Sequence, residues 1–243
     1  MRNLLLAICL LPLAGFLING LLGRRLPKAA AHWVACGATG LSFALALAAF
    51  WQFVHQPGRA LSFHYFTWIQ SGDFVAGFSF LADPLSMVML LVVTGVGFLI
   101  HVYSVGYMAH EGGYYRFFAY MNLFMFAMLL LVLADNYLLL FVGWEGVGLC
   151  SYLLIGFYFD RPSAADAGKK AFIVNRIGDF GFVIGILLLF ASFHTVNFQA
   201  VFAKAATMPV ESGLGLLPLI TLLFFVGATG KSAQIPLYVW LPD

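Results

Sequence analysis

Residues 117–159 read FFAYMNLFMFAMLLLVLA, then Asp135-Asn136, then YLLLFVGWEGVGLCSYLLIGFYF. The first half carries no charge and the second carries one, Glu145. About 20 apolar residues let a helix cross roughly 30 Å of hydrocarbon, and a bilayer admits only backbones whose polar groups are paired internally. Two membrane helices joined by a tight turn account for both halves. Composition extends this reading to the whole chain. Of 243 residues, 63% are hydrophobic and 9% charged, with a mean hydropathy of +0.96, whereas an average soluble domain is about 25% charged. A water-soluble globule of this size has no means of covering so much apolar surface.

Moving outward from this pair, five further apolar runs emerge. Asn3–Gly23 stops at the basic cluster Arg24, Arg25, Lys28, and it exceeds the apolar region of a cleaved signal peptide, so it reads as a retained span. Ala29–Val54 follows, then a polar loop from His55 to about Phe78. Pro84–Met108 is interrupted only by His101 and ends at the turn His110-Glu111-Gly112-Gly113. Beyond Asp160-Arg161-Pro162 a loop leads through Lys169-Lys170 to Ala171–Phe193, which carries Arg176 and Asp179. A surface stretch with Lys204 and Glu211 precedes the last run, from near Gly213 through Lys231 towards Leu241. The expectation is an all-α polytopic bundle of about seven spans, the last irregular. Residues 1–79 form two spans and an outer loop, and residues 80–243 form the main bundle.

Basic residues alternate between loops. One side holds Arg24, Arg25, Lys28, Arg116, Arg161, Lys169 and Lys170; the other holds only Arg2, Arg59 and Lys204. This asymmetry places the N-terminus outside and the first, third and fifth loops in the cytoplasm of a bacterial-type inner membrane. A net charge of +2 argues against nucleic acid as a partner. Cys9, Cys36 and Cys150 lie in apolar runs without a CxxC pair, and the six histidines are scattered, so neither a zinc site, an iron–sulfur cluster, a disulfide framework nor a bis-histidine haem is indicated. The expectation is a chain with no metal, cofactor or redox centre of its own.

Charges at bilayer depth are the functional signal, because each costs at least about 2.5–3.5 kcal/mol there. Glu145 lies roughly 13–15 Å into its span, and Asp179, counted from the basic start of its own, reaches a similar depth. Arg176 and Asp179 are three residues apart, on one helix face. They read either as a self-neutralising structural pair or as a pair that opens when a neighbouring charge changes. Glycines 143, 146 and 148 around Glu145 by themselves signify close helix packing. Lys231 is the remaining cation inside an apolar run. As a straight helix the run would measure roughly 43 Å, and Pro236 after Gly227 and Gly230 breaks it beside Lys231. A broken helix at that depth is tolerated where its freed backbone lines a polar cavity. His101 ranks below these four charges, as a proton relay or as a hydrogen-bonded packing residue.

These residues fall within familiar motifs. Residues 95–104 (GVGFLIHVYS), 116–120 (RFFAY), 144–157 (WEGVGLCSYLLIGF), 170–179 (KAFIVNRIGD) and 230–237 (GKSAQIPL) resemble the antiporter-like L-type membrane subunits of NADH:quinone oxidoreductase, respiratory complex I. The resemblance runs from about residue 80 to the end, while residues 1–79 agree mainly in hydropathy. It implies an inverted-repeat fold of which this chain is an N-terminal portion, with a broken seventh helix. It also implies that Glu145, Lys231, Asp179 and Arg176 match the family's proton-carrying groups. NADH oxidation and quinone reduction, with FMN and the iron–sulfur clusters, would belong to other subunits, and those membrane and peripheral-arm subunits would be the partners. Tyr238 departs from the smaller polar or histidine side chain usual in relatives. The large subunit of multisubunit Na⁺/H⁺ antiporters, and membrane subunits of hydrogenase or bicarbonate-uptake complexes, share these motifs and remain alternatives.

Overall fold

The computed structural model describes every residue except 57, 59, 210–212 and 214, so Arg59 and Glu211 lie outside the described residues. The helices are α1 (Arg2–Leu22), α2 (Lys28–Val54), α3 (Pro84–Tyr107), α4 (Tyr114–Leu133), α5 (Tyr137–Ile155), α6 (Pro162–Phe193), α7 (Phe198–Ala205) and α8 (Leu216–Lys231). Among the described residues, the first six are long and apolar enough to cross a membrane. The chain is a multi-pass integral membrane protein. Local chemistry sets several helix starts. Asp83 and Ser86 form a reciprocal capping box at α3 (Ser86 N to Asp83 Oδ1, 2.7 Å), and Asn136 accepts from the Leu139 amide at α5 (2.9 Å).

Three expectations need correction. The expected polar loop after His55 is mostly a β-hairpin, β1 (Leu61–Ser71) and β2 (Phe74–Ala82), turning at Gly72-Asp73 with Gly72 at a φ of +55°. A positive φ at a two-residue hairpin turn favours glycine. The sixth helix begins at Pro162 rather than Ala171, because Pro162 suits a first helical turn and the alanines at 164, 165 and 167 favour helix among the polar residues of this stretch. The seventh run, counted as an irregular span, is a 16-residue helix that ends at Lys231 where the break was expected, and at about 24 Å it is shorter than the hydrocarbon layer.

The chain divides into two compact units. The first comprises residues 1–63, 79–134 and 140–150. In it α1 packs on α2 and α4, and α3 packs on α2 and α4. A stripe of buried small residues on α2 (Ala31, Ala35, Thr39, Ser42, Ala46, Ala49) recurs at helical spacing and permits close approach. Ser42 donates to the Ile8 carbonyl (2.8 Å) and Asn19 to the Ala31 carbonyl (3.1 Å), so each crosses between α1 and α2. Within the same unit, Gly143 and Gly146 of α5 lie against Leu131 and Ala127 of α4, which is the packing role expected of them. Trp33 and Trp51 are both exposed on α2 and about 27 Å apart along its axis. Aromatic rings favour the two membrane interfaces, and this spacing matches the hydrocarbon thickness between them.

The second unit comprises residues 64–78, 135–139 and 151–243. Leu189, Phe193, Val201 and Ile220 form its apolar core, with Tyr137 stacked on Phe224 at 4.9 Å. Phe74, at the hairpin turn, meets Phe190 of α6 edge-on at 4.8 Å.

Candidate functional site

Helices α6 and α8 run side by side in the second unit, and the residues at their seam are glycines. A Cβ on Gly178 would lie 3.2–3.3 Å from the Val226 and Gly227 carbonyl oxygens, and one on Gly227 would meet Phe182 at 2.8 Å. Any larger residue would push the helices apart. The close approach has an electrostatic result: Asp179, next to Gly178, faces the end of α8. Its Oδ2 lies 3.8 Å from Lys231 Nζ and 3.6 Å from Arg176 Nη1.

One carboxylate is thus shared by two cations. The Asp179 side chain is 1% exposed, Lys231 18% and Arg176 39%, so the anion is the innermost member and Arg176 the outermost. Arg176 also lies over the Phe172 ring, 4.6 Å from its centroid, which suits a weakly hydrated guanidinium. The two ion-pair distances, both beyond close hydrogen-bonding range, leave the carboxylate balanced between its partners.

Lys231 occupies the last turn of α8, where the chain breaks off. The Gln234 amide reaches the Thr229 carbonyl (2.9 Å) and the Ala233 amide reaches the Gly230 carbonyl (3.4 Å), with Ala233 at a φ of +49°. This is a Schellman ending with alanine in the left-handed position usually given to glycine. The Trp240 indole also donates to the Gly230 carbonyl (3.1 Å). The negative end of the helix dipole therefore sits beside the lysine ammonium and favours it.

The structure brings Arg176, Asp179 and Lys231 together. Glu145, half-buried in the middle of α5, belongs to the first unit. His101 is fully buried there; its Nδ1 donates to the Gly97 carbonyl of its own helix (2.7 Å), and its Nε2 has no hydrogen-bond partner among the described residues. Sequence reasoning did not find the Asp179–Lys231 contact or the Trp240 cap. The signal for the first was the matching glycine spacing, at 178, 181 and 185 on one helix and 227 and 230 on the other.

Six membrane-length helices, a shorter one ending at a lysine, and a buried carboxylate between two cations define an antiporter-like membrane domain. Comparisons place that domain. Residues 134–243 match the family described as NADH:quinone oxidoreductase/Mrp antiporter, transmembrane, and residues 68–118 match the N-terminus of chain 5 of NADH-ubiquinone oxidoreductase, complex I. Over these two stretches the chain is similar to antiporter-like membrane subunits. It is 46% identical to NADH-quinone oxidoreductase subunit L of Neisseria meningitidis over 250 residues, covering 99% of this chain and 37% of that protein. The subunit L of Mycobacterium tuberculosis is 48% identical, over 96% of this chain and 36% of that protein. The chain thus spans little more than a third of the length of these relatives. The solved Mrp complex from Dietzia sp. DQ12-45-1b is 26% identical, with a TM-score of 0.80 over 99% of this chain and 25% of that one.

Proposed function

We propose that this chain contributes a proton-translocating element to the membrane domain of NADH:quinone oxidoreductase, acting as part of a translocase. The observation that carries the proposal is the buried Asp179 carboxylate, shared between Lys231 and Arg176. Arginine does not give up its proton in a protein, whereas a buried lysine can. Arg176 keeps Asp179 balanced as an anion while Lys231 exchanges its proton. Loss of the proton removes the Lys231 charge from Asp179 and leaves the Arg176 pairing in place, and its return restores the shared arrangement. Charge movement near Lys231 thereby alters the balance of the pair, which is what a relay driven from a distance requires. Glu145 is the second proposed carrier in the path, and His101 a subordinate one.

NADH oxidation, quinone reduction, FMN and the iron–sulfur clusters are assigned to partner subunits, with no redox site in this chain. The domain assignment is two spans and an outer loop over 1–79 and the antiporter-like bundle over 80–243. The membrane is a bacterial-type inner membrane, with the N-terminus outside and the loops rich in Arg and Lys in the cytoplasm. The likeness to the Mrp complex supports a second reading, Na⁺/H⁺ exchange. Protons moved per electron in vesicles carrying the assembled complex, measured with and without sodium, separate the two. On the proton reading, Lys231→Met assembles but pumps little or nothing, Lys231→Arg is also impaired, and sodium changes neither ratio. An unchanged ratio in both variants overturns the assignment of Lys231.

A further inference from the structure

We propose that the cavity between the α1–α2 and α3–α4 turns binds the phosphate of an anionic membrane lipid. This site lies wholly within the first unit and does not rest on the proton-transfer reading. The cavity encloses about 400 Å³, and its lining includes Arg24, Lys28, His110, Glu111, Gly113 and Tyr114. Lys28 reaches across it: Nζ donates to the Ala109 carbonyl (2.7 Å) and lies 5.4 Å from the centroid of the Tyr114 ring. One donor of the ammonium thus ties the two turns together, and two remain for a ligand. The Tyr114 hydroxyl is itself held by His32 Nδ1 at 3.0 Å. Arg24 adds a guanidinium, whose fork suits phosphate oxygens.

Two further observations point to the same chemistry. Helix α4 starts here with Gly113 as its N-cap, left-handed (φ +72°) and without a side-chain cap, and Gly113, Tyr114 and Tyr115 line the cavity, so the positive end of the 20-residue helix borders it. Glu111 is the one acidic side chain of the lining, against Arg24 and Lys28. The depth of the site selects the source of the phosphate. Trp33, within two turns of Lys28, and Tyr103 and Tyr107, in the last turns of α3, are exposed aromatic rings at this end of the bundle. Such rings collect at the headgroup boundary, which puts a cavity just beyond them among lipid phosphates.

The test is native mass spectrometry of the full chain in a non-ionic detergent, with phosphatidylglycerol or phosphatidylcholine added. Phosphatidylglycerol is expected to be retained about tenfold better. Arg24→Gln with Lys28→Gln should erase that preference, whereas Arg161→Gln with Lys169→Gln, which removes equal charge from the N-cap and first turns of α6, should leave it. Because Lys28 also joins the two turns, Arg24→Gln against Arg24→Lys gives a milder comparison: the glutamine loses retention and the lysine keeps most of it. Equal retention of the two lipids, or equal loss in both double variants, overturns the proposal. Displacement of phosphatidylglycerol by millimolar inorganic phosphate would overturn the lipid assignment in favour of a free anion.

Discussion

In the α1–α4 bundle, His101 apart, the buried polar side chains Asn19, Thr39, Ser42, Thr94 and Asn122 are neutral, and each donates to a main-chain carbonyl. In the α6–α8 pair the neutral Asn175 does the same, but Arg176, Asp179 and Lys231 are charged and meet one another. Neutral groups that donate to backbone are held in place, since the carbonyls they use belong to rigid helices. A carboxylate between two cations has alternatives of similar energy, and its arrangement can change when a proton moves. On the proposed function, the same solvent holds a scaffold and a switch, distinguished by what the buried polar atoms touch.

The largest test of that contrast is Asp179→Asn. It removes the carboxylate that Lys231 and Arg176 share, a loss of about 3–5 kcal/mol in a buried pair. Transport in vesicles should be lost, and the thermal unfolding temperature of the purified complex should fall. Normal transport would mean that the cluster is structural. Next, Gly227→Leu drives a side chain into Phe182 at the α6–α8 seam. Overpacking of this kind costs about 1–3 kcal/mol, and here it also separates Asp179 from Lys231. Transport should fall further than the stability change alone explains, as judged by activity per assembled complex.

The scaffold side of the comparison predicts the reverse pattern. Asn19→Leu removes the bond to the Ala31 carbonyl and should destabilise by about 1 kcal/mol, read as a modest drop in unfolding temperature with transport per complex unchanged. A transport defect there would dissolve the distinction between the two regions. Smallest of all is Ala233→Gly, which relieves a left-handed alanine at the end of α8. Stability should rise by up to about 1 kcal/mol if the break beside Lys231 is fixed in the working state, and transport should be unaffected.

Hydropathy made the six long helices legible because a bilayer imposes one length and one composition on every span. The break at Lys231 was equally legible, from Gly227, Gly230 and Pro236. The hairpin was missed for a specific reason: His64, Thr67 and Gln70 gave the segment a polar average, while the Gly72-Asp73 turn between alternating residues carried the real signal. The start of α6 was hidden because Ser163 to Lys170 favour helix without being apolar. Depth counting found the four charges, and the i,i+3 spacing found the Arg176–Asp179 pair. The Asp179–Lys231 pairing depends on which helices are neighbours, and spacing within one helix carries no such information.

The two tryptophans of α2 turn that helix into a ruler. If both rings must stay at their interfaces, the first unit fits a hydrocarbon layer of about 27 Å, and the lipid has to conform to it. Acyl chains a few carbons longer would tilt the helix or pinch the bilayer around it, at a fraction of a kcal/mol per Å of mismatch. Tilting α2 would also carry Lys28, and with it the turn it joins to Ala109. The thickness of the surrounding membrane is thereby written into the geometry of the bundle at one end, far from the glycine seam of α6 and α8 in the chain.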